Sequence, residues 1–173
     1  MSTAVGIVHK KEIWLGADGL ATTEAGHIRN FNAVKIFKNK DYTFAYIGSV
    51  RGGQIFLENS FTPPKDIKDL PDKMFTNCEN KSCLITDDDG AITQQCNFLI
   101  VYKNKLYEMH ADFQLNQIHE YTSIGHGCNI AMGSLFTTEE LKYTPKERIE
   151  IALKAASRFS NATGPPFLIV KCD

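Results

Sequence analysis

The chain has 173 residues, of which 43% are hydrophobic and 23% charged, and its formal net charge is −1. That length and apolar share fit one domain spanning residues 1–173 with a real core, and the near-neutral balance argues against nucleic acid or an anionic membrane surface as partner. The first apolar run is broken at His9-Lys10-Lys11-Glu12, too early for a signal peptide, and no stretch approaches membrane-spanning length, so a soluble, cytoplasmic protein is expected.

The first half reads as hairpins. Val5–Val8 and Ile13–Leu15 flank the charged tip at residues 9–12, and residues 33–37 and 42–47 flank Lys38-Asn39-Lys40-Asp41. A short helix is expected over residues 54–61. Residues 62–73 hold three prolines and many charges and read as a loop with one helical turn. A strand follows at residues 82–86, closed by a solvated Asp87-Asp88-Asp89-Gly90 turn. Residues 97–110 form a third hairpin around Lys103-Asn104-Lys105.

In YTSIGHGCNIAMGSLF a strand breaks at Gly125 and Gly127 into a helix. The next helix has the plainest signals: Thr144 as N-cap, Pro145 at the first helical position, and Glu147 to close a capping box. Its apolar face is Ile149, Ala152, Leu153 and Ala156. Residues 163–166, TGPP, end it, and residues 167–170 read as a last buried strand. The order of elements predicts an α+β sandwich with helices outside stacked sheets. The five cysteines, Cys78, Cys83, Cys96, Cys128 and Cys172, form no CxxC pair. Nothing in their spacing asks for a metal with His110 or His119, so reduced structural thiols and no cofactor are expected.

Four segments, STAVGIV, WLGADGLAT, AYIGSVRGG and TSIGHGCNIAMGSL with the later ATGPP, resemble the proteasome-type N-terminal nucleophile hydrolases in order and separation. The likeness is greatest to the small HslV-like branch and to the short proteasome-like proteins of bacteria and phages. It implies a four-layer αββα sandwich. It also implies a threonine-peptidase-like activity, in which the first residue of the mature chain attacks a carbonyl carbon with its hydroxyl. The free α-amine, which titrates near ~8 and is a usable base at neutral pH, takes the proton.

On this resemblance Ser2 is the nucleophile once Met1 is removed, with Thr3 standing where the family often has a second threonine. Asp18 matches the family aspartate, and its separation from Ser2 is the one the family keeps. Lys35 matches the family lysine, whose ammonium favours the attacking form of the hydroxyl. Gly48 matches the glycine whose backbone N–H serves the oxyanion hole. Ala21, Thr22 and Val50 fall at the family's first specificity pocket, where Arg51 departs from the usual small residue. His126 stands in place of a serine that steadies the terminal amine, either as a base near neutral pH or as a structural histidine. Ser160 replaces a family aspartate, with Asn161 beside it. The stretch between Gly53 and Asn97 is short, so the first helix pair must be abbreviated. The resemblance implies a homo-oligomeric ring that cuts peptides or proteins, with an ATP-driven unfoldase as partner. The Ser160 and His126 departures keep a second reading in view, a catalytically silent protein of the same fold with an assembly role.

Overall fold

Alternating side chains along each strand are sorted between a helix-covered face and an inner face shared by two stacked sheets. The computed structural model describes residues 2–22, 28–29, 34–57 and 61–172, and only the backbone of Thr22 and of residues 28–29. The strands are β1 (Thr3–His9), β2 (Glu12–Asp18), β3 (Ala21–Thr22), β4 (Ile28–Arg29), β5 (Ile36–Asn39) and β6 (Tyr42–Gly48), then β7 (Leu84–Thr86), β8 (Ile92–Gln94), β9 (Cys96–Tyr102), β10 (Lys105–Met109), β11 (Leu115–Ile118), β12 (Tyr121–Gly125) and β13 (Phe167–Cys172). The helices are α1 (Val50–Leu57), α2 (Leu70–Asn80), α3 (Cys128–Thr137) and α4 (Pro145–Phe159).

One sheet has the order β12-β1-β2-β13 and the other β11-β10-β9-β6-β5, all antiparallel. Two short ladders, β3-β4 and β7-β8, stand apart. Three apolar clusters fill the spaces between the layers. Val5 and Ile7 of β1 meet Ala131, Leu135, Ile149 and Leu153 of α3 and α4. Ala4, Leu15 and Ala17 meet Ala45, Leu99, Val101 and Leu106 between the sheets. Tyr42, Phe44, Phe98 and Ile100 meet Ile55, Phe56, Leu70 and Met74 under α1 and α2. These are the four layers of an αββα sandwich. No helix among the described residues is long and apolar enough to cross a membrane.

The hairpins expected around residues 9–12, 38–41 and 103–105 form, with tighter tips. The turns are two residues long, and Lys103 and Asn104 both take positive φ, 46° and 57°. That conformation matches the twist of the flanking strands. The capping box of α4 is present as expected, with Thr144 Oγ1 accepting from the Glu147 N–H and Glu147 Oε2 accepting from the Thr144 N–H at 2.8 Å.

Three expectations need correction. The segment 62–73 is not a loop with one turn: a 3-10 turn at Ile67–Asp69 leads into the eleven-residue α2. Pro71 is harmless in a first helical turn, and Leu70, Met74 and Cys78 bury one stripe. The helix expected over 54–61 begins earlier, at Val50, and residues 58–60 lie outside the described residues. Strands β8 and β11 were not expected at all. The proposed start of a strand at Ala33, the assignment of the Thr22 side chain to a pocket, and the removal of Met1 also fall outside the described residues. The abbreviated first helix pair is α1 and α2. All five cysteines are free thiols, and burial pushes Cys78 and Cys96 up to about 12, which keeps both protonated and unreactive.

Candidate active site

The tip of β1 is held where the four sequence motifs converge. Because strand side chains alternate, Ser2 lies on the inner face with Ala4, and Thr3 lies on the helix face with Val5. Strand β1 is central in its sheet, paired to β12 with Thr3 opposite Gly125 and to β2 with Ala4 opposite Ala17. Burial is deep at the tip: Ser2 is 4% exposed and Thr3 fully buried.

The two hydroxyl residues therefore meet different surroundings. Thr3 Oγ1 accepts from the Gly127 N–H at 3.0 Å and shares a hydrogen bond of 2.5 Å with Thr163 Oγ1. Its hydroxyl is committed to the turn entering α3 and to the TGPP segment. Ser2 instead lines a cavity of about 490 Å³ between the inner faces of the two sheets, together with Gly48, Asn97, Glu108, His110 and His126. The Ser2 carbonyl accepts from the His126 N–H at 2.9 Å. Gly125, with φ of 102°, lies so close that a Cβ there would sit 2.1 Å from that carbonyl oxygen. This close approach is why the IGHG motif needs a glycine at 125.

Asp18, at the end of β2, is 1% exposed and accepts four hydrogen bonds. Oδ1 receives the Thr3 N–H at 3.0 Å and Lys35 Nζ at 2.7 Å, and Oδ2 receives the N–H groups of Leu20 at 3.2 Å and Gly164 at 3.1 Å. A carboxylate so surrounded ties the tip of β1, the β2 end, the lysine segment and TGPP into one unit. Lys35 is buried, just ahead of β5, and also donates to the Leu20 carbonyl at 2.6 Å. Burial holds its pKa below the ordinary lysine value, and the charge of Asp18 opposes that shift.

Gly48 ends β6 opposite Cys96, with φ of 111°, and a Cβ there would meet the Gln95 carbonyl oxygen at 2.2 Å. It faces the same cavity as Ser2. His126 offers the tip its backbone N–H, while its exposed side chain lines the cavity. Ser160 is the C-cap of α4, and its Oγ accepts from the Ala162 N–H at 3.2 Å, so it is engaged at its own helix end. Val50 opens α1 and is 41% exposed, and Ala21 lies in the β3-β4 ladder. Neither lines the Ser2 cavity. Among the described residues no group of three or more His, Cys, Asp or Glu side chains could hold a metal ion.

Sequence reasoning missed Glu108, His110 and Asn97. Glu108 Oε2 accepts from Thr122 Oγ1 at 2.6 Å, and Oε1 stands 3.3 Å from His110 Nε2. The alternation of β10, apolar Leu106 then Glu108 on the inner face, was the available signal.

No protein-family model matches the sequence, and no curated protein matches it. Solved structures do. BPH of Thiobacillus denitrificans, in complex with epoxomicin, superposes with a TM-score of 0.83 at 16% identity, over 98% of this chain and 97% of that one. Eukaryotic HslV from Trypanosoma brucei gives 0.72 at 13% identity, over 98% of both chains. Anbu, an ancestral beta-subunit from Yersinia bercovieri, gives 0.69 at 14% identity, over 98% of this chain and 80% of that one. At these identities the likeness is one of fold, and it is nearly complete.

Proposed function

We propose that this chain, which has the fold of the proteasome-type N-terminal nucleophile hydrolases, is a single-domain peptidase that cuts peptide bonds inside a homo-oligomeric chamber. The observation that carries the reading is the place of Ser2, on the inter-sheet cavity and next to Thr3, whose backbone N–H is held by Asp18 of the Asp18–Lys35 pair.

With Ser2 as the first residue of the mature chain, its hydroxyl oxygen forms a bond to the substrate carbonyl carbon. The proton passes to the α-amine and then to the leaving nitrogen as the C–N bond breaks. Water hydrolyses the resulting ester and restores the hydroxyl. Lys35, as an ammonium, favours the developing alkoxide, and Asp18 holds it in place. The Gly48 N–H is the donor to the carbonyl oxygen as it gains charge. The His126 N–H fixes the Ser2 carbonyl, and so the direction of the terminus. Thr3 is left out of the chemistry because its hydroxyl is already engaged.

The family resemblance of the sequence implies a cytoplasmic ring of identical subunits, fed with unfolded chains by an ATP-driven partner, and the shared fold of HslV and Anbu is consistent with the ring. The engagement of Ser160 at its own helix end favours the second reading, an inactive assembly protein.

One assay decides between them. Purified protein is mass-analysed to find the first residue, then wild type and Ser2→Ala are compared on fluorogenic peptide amides and for uptake of epoxomicin, the compound held by the BPH neighbour. Cleavage and uptake by a chain beginning at Ser2, both lost in Ser2→Ala, are the expected result. Cleavage that survives Ser2→Ala removes the nucleophile assignment. Absence of cleavage by a chain that does begin at Ser2 leaves the assembly reading.

A further inference from the structure

The cavity beside Ser2 has a chemical character that the proposed reaction does not use. Its volume, about 490 Å³, lies in the range of small-ligand sites. Among the described residues that line it, Glu108 is the one carboxylate and none is a lysine or arginine. The Glu108 side chain is 13% exposed, so its charge acts through a medium less polar than water. A carboxylate accepts up to about four hydrogen bonds; here Oε2 accepts one from Thr122 Oγ1, and His110 Nε2 stands 3.3 Å from Oε1. The wall also includes Ile47 and Ile124, which suit an alkyl stem. A long side chain with an apolar stem and a cationic head fits this combination of surfaces.

We propose that the cavity is a subsite for a lysine or arginine side chain of the peptide being cut, with Glu108 as its counter-ion. The inference rests on the peptidase reading for its substrate, and on the cavity alone for its charge preference. Glu108 also has a structural contact, since the Thr122 bond links β10 to β12 across the sandwich. Glu108→Gln keeps an oxygen acceptor for Thr122 and removes only the charge, so it separates the two roles.

The test uses peptide amides that carry either lysine or norleucine, a neutral side chain of similar shape, at successive positions around the cleaved bond. Two quantities are read at pH 8: the lysine-to-norleucine ratio of kcat/KM, and the same ratio of affinities for the Ser2→Ala protein, which needs no cleavage. At one position both ratios should favour lysine by about tenfold or more in proteins with Glu108, since norleucine makes no hydrogen bond there and one to a charged group contributes about that factor. Glu108→Gln should bring both to near one, whatever its absolute rate, and Glu108→Lys should reverse the preference toward a glutamate peptide. Ratios unchanged by Glu108→Gln overturn the subsite. Preferential binding without cleavage keeps the subsite and refutes the peptidase. Cleavage with no Glu108-dependent preference does the opposite.

Discussion

Replacing Asp18 by asparagine changes one charge and almost no volume. Each carboxylate oxygen of Asp18 accepts two donors, Thr3 N–H and Lys35 Nζ on Oδ1, Leu20 N–H and Gly164 N–H on Oδ2. An amide has one oxygen, so in either orientation its NH2 confronts two donors and two hydrogen bonds are lost. The Lys35 ammonium is also left in a buried site without its counter-ion. Breaking a buried pair from one side costs about 3–5 kcal/mol. For a chain of this length each kcal/mol moves the melting temperature by about 2–4 °C, so a fall of roughly 6–20 °C is expected.

The deficit also depends on pH. Burial lowers the Lys35 pKa and Asp18 opposes the shift, so the variant's lysine falls further. Between that lowered value and the ordinary value of about 10.4 the unfolded chain binds more protons than the folded one, and the stability of the variant rises with pH. The gap from wild type is therefore widest at neutral pH and narrows toward pH 10. Urea titrations followed by far-ultraviolet circular dichroism, at one protein concentration, measure it. A variant within about 1 kcal/mol of wild type at pH 7, or a gap that widens toward pH 10, refutes the account.

Three further outcomes follow from the same contacts. Gly125→Ala should lower the melting temperature far more than Gly90→Ala: both glycines have positive φ, but only at 125 does the new Cβ meet backbone, while at 90 nothing lies within 4 Å. Equal losses would mean that the approach of Ser2 to Gly125 is unimportant. Thr3→Val leaves the Gly127 N–H and the Thr163 hydroxyl without their partner and should cost about 1–3 kcal/mol by denaturant titration. In an active preparation, Lys35→Met should reduce peptide cleavage at least about 100-fold. The wild-type rate should fall on the alkaline side below the ordinary lysine range, because burial lowers the pKa of the ammonium and raising the pH removes its proton. A pH–rate profile flat to pH 11 would contradict that role.

Local chemistry was legible in the sequence wherever it alone decides the structure. Thr144, Pro145 and Glu147 specify the start of α4 because a capping box closes within one turn. The hairpin tips were placed because charged pairs such as Lys10-Lys11 break apolar runs. The order of the motifs was enough to point to Ser2, Asp18, Lys35, Gly48 and His126. Helix α2 was missed because proline and charge at residues 62–73 masked a stripe of only three buried residues. The spacing to Asp18 favoured Ser2 over Thr3, but the different surroundings of the two hydroxyls waited on tertiary structure. Adjacent strand residues face opposite ways, and only the layers packed on β1 reveal that the helix side engages Thr3 while the inner side leaves Ser2 on a cavity. The same holds for Glu108, His110 and Asn97. They belong to the opposite sheet, far along the chain from Ser2, and only the stacking of the two inner faces brings them to it.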